Sequence, residues 1–289
     1  AVSAIFKRDL RSYFSGMIGY VFIAISLAFV GIYFMALNLI NGYPYFSYTL
    51  ASSAMFFVVC VPILTMRSMA EERRTKTDQL LLTSPVSVGA IVTGKFLAMA
   101  VVLAVPMVIL CACPLLMWSA GAAGIASDYA TLLAMYCMGC MFIAIGMFIS
   151  SLTENQVIAA VVTLFVLLIL YMWDDLLNFL PTTITANMIG CLIAIVIIAL
   201  LLYLMSGSPN LAMIVAIIGA VAVIAVYFVD SSLFESLLPN ALSVLSATAV
   251  LDTFAFDFVF NWPGLVFYLS VAALFVFLTA QTVQKRRWN

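Results

Sequence analysis

Six ionisable side chains, Arg67, Glu71, Glu72, Arg73, Arg74 and Lys76, crowd into the first half of the stretch MRSMAEERRTKTDQLLLTSPVS at residues 66–87, in a chain that is otherwise almost uniformly apolar. Acids placed ahead of bases suit a helix dipole and offer a partner a pattern of charge to register against. The same run also reads as a solvated face that only orients the chain. Other chemistry is scarce. The chain contains no histidine, which excludes His-based zinc sites, Ser/His triads and His proton relays. It has no G-x-x-x-x-G-K-[ST] phosphate loop, so it does not itself hold ATP in that way. Cys137-Met-Gly-Cys140, with Met138 and Met141, has soft ligands that suit Cu(I). Inside an apolar helix, without a second pair, it reads as ordinary packing. Gly139 and Gly146, with Ala144 between them, read as a surface for close helix approach. No catalytic residue and no metal ligand is assigned.

A membrane protein must hold these groups. Of 289 residues, 66% are hydrophobic and 8% charged, against roughly 25% charged in a soluble domain. Each crossing of a hydrocarbon core about 30 Å thick takes about 20 apolar helical residues. Eight apolar runs are available, at 17–39, 50–66, 90–118, 129–150, 157–173, 188–205, 211–229 and 265–279. The expected fold is an all-α integral membrane bundle of about eight transmembrane helices, one domain over 1–289 with no separate soluble part. Lys95 is the only Asp, Glu, Lys or Arg within these runs and is expected to snorkel to the interface.

Charge sets the expected orientation. With both termini in the cytoplasm, all eleven basic residues lie on or near that side and the outer loops receive none. Seven of the twelve acids, Asp128, Asp174, Asp175, Asp230, Glu235, Asp252 and Asp257, fall outside. That asymmetry follows the positive-inside rule and favours an even number of crossings. The first run is too long for a signal peptide and lacks a small-residue cleavage pattern. The six cysteines all fall in the apolar runs, as small hydrophobes.

Ahead of the first run, SAIFKRDLRSYFSG sets Phe6, Leu10, Tyr13 and Phe14 on one helical stripe, with Lys7, Arg8 and Arg11 away from it. An amphipathic interfacial helix over 3–15 is expected, or else a basic flank that only orients the first span. The segment 230–263 is mostly apolar with sparse acids, and should lie on the outer leaflet or cap the bundle. The 68–87 loop should hold a helix from Met69 to Leu82, stopped by Thr83, Ser84 and Pro85, with Leu80, Leu81 and Leu82 able to bury against a partner. No ionisable group sits at mid-depth of any run, which argues against ion-coupled transport and an ATPase-independent carrier.

The segment EERRTKTDQLLLTSPVSVGAIVTGKFLA resembles the loop between the second and third spans of ABC-2 type transporter permeases, whose common form is E-E-[KR]-x-x-G-T-x-E-x-L-L-[ST]-x-P-[VI] followed by Gly-Lys. Glu71, Glu72, Arg73, Thr77, Leu81, Leu82, Thr83, Pro85, Val86, Gly94 and Lys95 occupy positions of that pattern. Lys76 stands at its glycine, and Gln79 at its later acid with Asp78 one place earlier. FKRDLRSYFSGMIGYVF, IGMFISSLTENQVIAA and FYLSVAALFVFLTAQTVQKRRW resemble the family's interfacial helix and first span, its fourth-to-fifth junction and its last span. The chain is similar to permeases of the gliding-motility and nitrous-oxide-reductase-maturation type. The usual family topology has six spans, and the pair at 188–229 makes eight here.

The resemblance implies a type V exporter-like fold in a plasma membrane, of bacterial origin. It implies two permeases, the same or paralogous, pairing with a cytoplasmic dimer of P-loop ABC ATPases. ATP and Mg would be bound by that partner; no cofactor is expected in this chain, no enzymatic activity and no nucleic acid. The 71–82 helix would be a coupling helix, with Glu71, Glu72, Arg73, Arg74, Lys76, Thr77 and Asp78 setting register and Leu80 and Leu81 making the buried contact. Phe6, Lys7, Arg8, Leu10 and Arg11 would form the interfacial helix beside it, against membrane lipids. Spans one, two and five are apolar apart from groups such as Ser26, Asn38, Ser52, Ser53 and Thr163, which favours an amphiphilic or lipid-like cargo. A different reading is a membrane anchor that passes ATPase motion to an extracytoplasmic or motility partner without moving cargo.

Overall fold

The computed structural model describes residues 2–76, 86–119, 121, 124–179, 183–206 and 237–288, with isolated residues between 213 and 227. Its helices are α1 (Val2–Ser15), α2 (Met17–Phe34) continued by a π-helical turn (Met35–Ile40), α3 (Phe46–Ser53), α4 (Met55–Thr65), α5 (Ala70–Arg74), α6 (Val88–Leu110), α7 (Ala112–Ser119), α8 (Ile125–Leu152), α9 (Gln156–Tyr171), α10 (Trp173–Asn178), α11 (Ile184–Ser206), α12 (Leu237–Ser243), α13 (Ala247–Ala255) and α14 (Trp262–Trp288). No strand occurs among the described residues.

Four helical stretches are long and apolar enough to cross a membrane: Met17–Ile40, Val88–Ser119, Ile125–Leu152 and Trp262–Lys285. A fifth forms if Phe46–Ser53 and Met55–Arg74, bent by 56°, are one span. α9 and Ile184–Ile193 are apolar but shorter. The all-α membrane fold is therefore present, and the runs at 157–173 and 188–205 correspond to α9 and α11. The run at 211–229 lies almost wholly outside the described residues. The second run, expected at 50–66, is corrected: its helix begins at Phe46 and bends at Ala54. Hydropathy hid the first turn because Ser47, Thr49 and Ser53 are polar, yet all three are buried and hydrogen-bonded within the fold.

The chain divides into two compact units, Ala1–Tyr171 with Ala247–Asn289, and Met172–Ser246. In the second, the Trp173 indole Nε1 donates to the carbonyl of Leu242 at 2.9 Å, and Ser246 bonds the Asp174 carboxylate. In the first, α8 is the central post: 83% of its apolar window is buried. It packs against α3, α4, α6, α9, α13 and α14. Buried Asp128 in its first turn accepts the backbone N–H of Ser47 at 2.8 Å, so a carboxylate satisfies an orphan donor at the start of α3. The residue expected in an outer loop is thus part of a helix-to-helix clamp.

The segment 230–263 is described only in part, and α13 within it packs over the same end of α8. Its last carbonyls take hydroxyl donors from that end: Phe254 O from Thr131 at 3.2 Å and Ser127 at 3.4 Å, and Ala255 O from Ser47 at 3.3 Å. The expected cap is present for these residues. Asn38, at the π-helical turn, donates to the carbonyls of Tyr43 at 2.8 Å and Tyr45 at 3.1 Å and bonds Thr49, closing the α2–α3 turn.

The two glycines read as close-approach positions are so used. A Cβ on Gly146 would lie 2.4 Å from Thr65 Oγ1, and one on Gly139 2.6 Å from Leu103 Cδ2. Side chains there would drive α8 away from α4 and α6. Gly146→Leu is expected to destabilise the fold by about 3 kcal/mol, the upper range for overpacking. Gly31→Ala, which meets nothing within 4 Å, should be neutral. Thermal unfolding in detergent, followed by labelling of the buried thiols of Cys60, Cys137 and Cys140, would report both.

Candidate functional site

The site begins at a glycine. At Gly94 a Cβ would meet Ile5 Cγ2 at 3.1 Å and the carbonyl of Val2 at 3.2 Å, so α1 lies against α6 as closely as a bare backbone allows. That approach sets Asp9, one turn beyond Ile5, over Lys95. Lys95 is only 5% exposed. Its ammonium contacts Asp9 Oδ2 at 3.2 Å and Glu72 Oε1 at 2.8 Å and donates to the carbonyl of Ser68 at 3.0 Å. Arg8 closes the ring, donating from Nε to Asp9 Oδ1 at 2.8 Å and from Nη2 to Glu72 Oε1 at 2.9 Å. Two cations and two carboxylates from α1, α5 and α6 thus form one node. The expectation that Lys95 snorkels is corrected, since carboxylates reach it in place of headgroups. Partial burial acts to lower the pKa of Arg8, but bonds and charge from Asp9 and then Glu72 outweigh it and raise the value. Tyr13, whose hydroxyl donates to the carbonyl of Leu64 at 3.3 Å, has its pKa raised by burial first and then by Asp9, Glu72 and Glu71.

A second tie holds α5 to the central post. Ser150, near the end of α8, accepts the N–H groups of Met69 at 3.3 Å and Ala70 at 3.2 Å and donates to Met66 O at 3.2 Å. It does the work of an N-cap from another helix. Glu71 and Glu72 then occupy the first turn and Arg73 and Arg74 the last, as the helix dipole favours. Arg73 reaches Glu154 at 2.8 Å and the carbonyl of Ser151 at 3.4 Å.

The helix expected from Met69 to Leu82 stops at Arg74. Thr75 caps it onto the carbonyl of Glu71, and Lys76 follows with φ 57, a left-handed conformation that ends the helix. Helix propensity across this window did not reveal the break. The glycine that the resembling pattern carries there was the available signal, because glycine adopts that conformation without a Cβ penalty. Thr77, Asp78, Leu80 and Leu81, with Leu82 to Pro85, lie outside the described residues.

On α1, the fully buried positions are Ile5 and Asp9, while Phe6, Leu10, Tyr13 and Phe14 are half-buried and Lys7, Arg8 and Arg11 exposed. The helix is amphipathic as expected, but the ridge set into the bundle is one residue off the aromatic stripe. Asp9, Ser150 and Glu154 were missed as site residues. Asp9, an acid among three bases, was the cue in the sequence; Ser150 carried none. Among the described residues no group of three or more acidic or sulfur side chains is placed to hold a metal.

A bundle of apolar helices bearing a packed polar assembly of α1, α5 and the start of α6 defines a multi-pass α-helical membrane protein. Residues 38–173 match the family model described as ABC-2 family transporter protein, so this part of the chain is similar to ABC-2 type permeases. No curated protein matches the chain.

Removing the central cation should be costly, because it leaves two carboxylates to share Arg8 alone. Lys95→Met is expected to lower stability by about 3 kcal/mol, and adding Asp9→Asn and Glu72→Gln should recover part of it. Melting temperatures of the single and triple variants in detergent would test this.

Proposed function

We propose that the chain is the membrane subunit of an ATP-driven exporter, with both termini cytoplasmic and in a bacterial plasma membrane, and that residues 70–82 seat on a separate ATPase. The observation that supports this reading most is the double tie of α5. Through Glu72 it is bonded to α1 and α6, and through Ser150 and the Arg73 bond to the Ser151 carbonyl to α8. A push on α5 by an ATPase therefore has a stiff path into the interfacial helix, one span and the central post, which suits a rigid lever acting on a bistable bundle. On this reading Glu72 and Arg73 hold the lever internally, and exposed Arg74 and Lys76, with residues 77–82, meet the ATPase. ATP and Mg belong to that partner, and the chain itself performs no catalysis.

An amphiphilic, lipid-like cargo fits the same reading. Three of the polar groups along the route are bonded within the chain: Ser26 donates to the carbonyl of Phe22 at 2.7 Å, and Asn38 and Ser53 also bond to backbone carbonyls, whereas the buried hydroxyl of Thr163 has no partner in the protein. A hydrophilic solute would find Ser26, Asn38 and Ser53 already engaged.

The test is affinity purification of the tagged chain from native membranes. A P-loop ATPase should co-purify in about equal amount. Arg74→Glu with Lys76→Glu should lower its recovery at least tenfold while leaving membrane insertion and melting temperature unchanged. Unchanged recovery would remove the docking role from this segment, and consistent absence of an ATPase would remove the exporter reading.

A further inference from the structure

Between α1 and α5 lies an open cleft of about 560 Å³, within the range of about 300–1,000 Å³ typical of small-ligand sites. Its walls are of two kinds. Arg8, Ser12, Arg67, Ser68 and Glu71 supply polar groups, and Ile18, at the start of α2, supplies an apolar lip. The hydroxyl of Ser68 is the unusual feature: the residue is 5% exposed, yet its Oγ has no hydrogen-bond partner. A buried hydroxyl left without a partner costs free energy, so its retention at a cleft wall calls for a ligand atom. Arg67 has only a long contact of 3.7 Å to Glu71 Oε2, which leaves its fork of donors open to an oxyanion.

The surroundings narrow the class of ligand. The cleft lies where α1, the start of the apolar stretch Met17–Ile40 and the residues just after α4 meet. From its lip the outer face of α2 continues with exposed Met17, Tyr20 and Val21. An oxyanion site opening onto an apolar helix face suits an amphiphile with its charge at one end. We infer that this cleft binds the phosphodiester headgroup of a phospholipid, with Arg67 and Ser68 holding the phosphate oxygens and the acyl chains running down α2. The lipid would wedge the N-terminal helix against α5 in a cleft whose wall also includes Asp9, Glu72 and Lys95 of the charged node. The inference needs only that the chain spans a membrane, and it stands or falls apart from the ATPase reading.

The experiment is native mass spectrometry of the full-length chain, stripped of lipid in detergent and titrated with dioleoyl phosphatidylglycerol, with dioleoylglycerol and with inorganic phosphate. Phosphatidylglycerol should form a one-to-one adduct that the phosphate-free diacylglycerol does not. Arg67→Gln should weaken it about tenfold, the loss of one charged hydrogen bond. Ser68→Val should move two readouts in opposite directions, raising the melting temperature of the lipid-free chain while weakening the adduct. Equal binding of dioleoylglycerol, wild-type affinity in both variants, or a melting shift with inorganic phosphate as large as that with lipid would each overturn it.

Discussion

A lysine ammonium buried at the start of α6 governs how this end of the molecule is built. A lone cation out of water is costly, so carboxylates have to be brought to it, and they come from two helices distant in sequence. Asp9 arrives because Gly94 lets α1 lie flush on α6; Glu72 arrives because Ser150 fixes where α5 starts. Arg8 then balances the second carboxylate. The short charged helices are in this way bonded to the long apolar ones rather than hung from them by loops.

The opposite end of the central helix is organised by a different economy of groups. There the partners are hydroxyls, an amide and one carboxylate, and the groups satisfied are backbone donors and acceptors at the ends of α3 and α13. Between the two ends, α8 is lined by small residues where neighbours come close. A central post with bonded termini and a tightly packed middle has little freedom to bend. Motion of the bundle is more readily accommodated by whole helices shifting, or at the 56° bend between α3 and α4.

Much of this was legible in the sequence, and the omissions have physical causes. The apolar runs gave the membrane class and most helices because spanning length is dictated by bilayer thickness. They misplaced the start at Phe46, since hydropathy counts a serine as polar even when the fold satisfies it. The charged loop stands out in the sequence, but composition cannot say whether a charge faces in or out. Glu72 and Arg73 look like Arg74 in the sequence, and only the packing of α1 and α8 separates the internal struts from the exposed positions. The left-handed residue at Lys76 was hidden for a related reason: lysine favours helix, and the neighbouring contacts override it.

The order of the node's members along the chain bears on how it can be assembled. A polypeptide grows from its N-terminus, so Asp9 and Glu72 both leave the ribosome before Lys95 does. The acids can wait at the water-facing edge of the growing bundle, where a free carboxylate is well solvated. When α6 enters the bilayer, its single cation meets counter-charges already made, and no later segment is required to neutralise it. All four charged members of the node have been made once the third apolar run has been threaded, and α8 then fixes the start of α5 through Ser150.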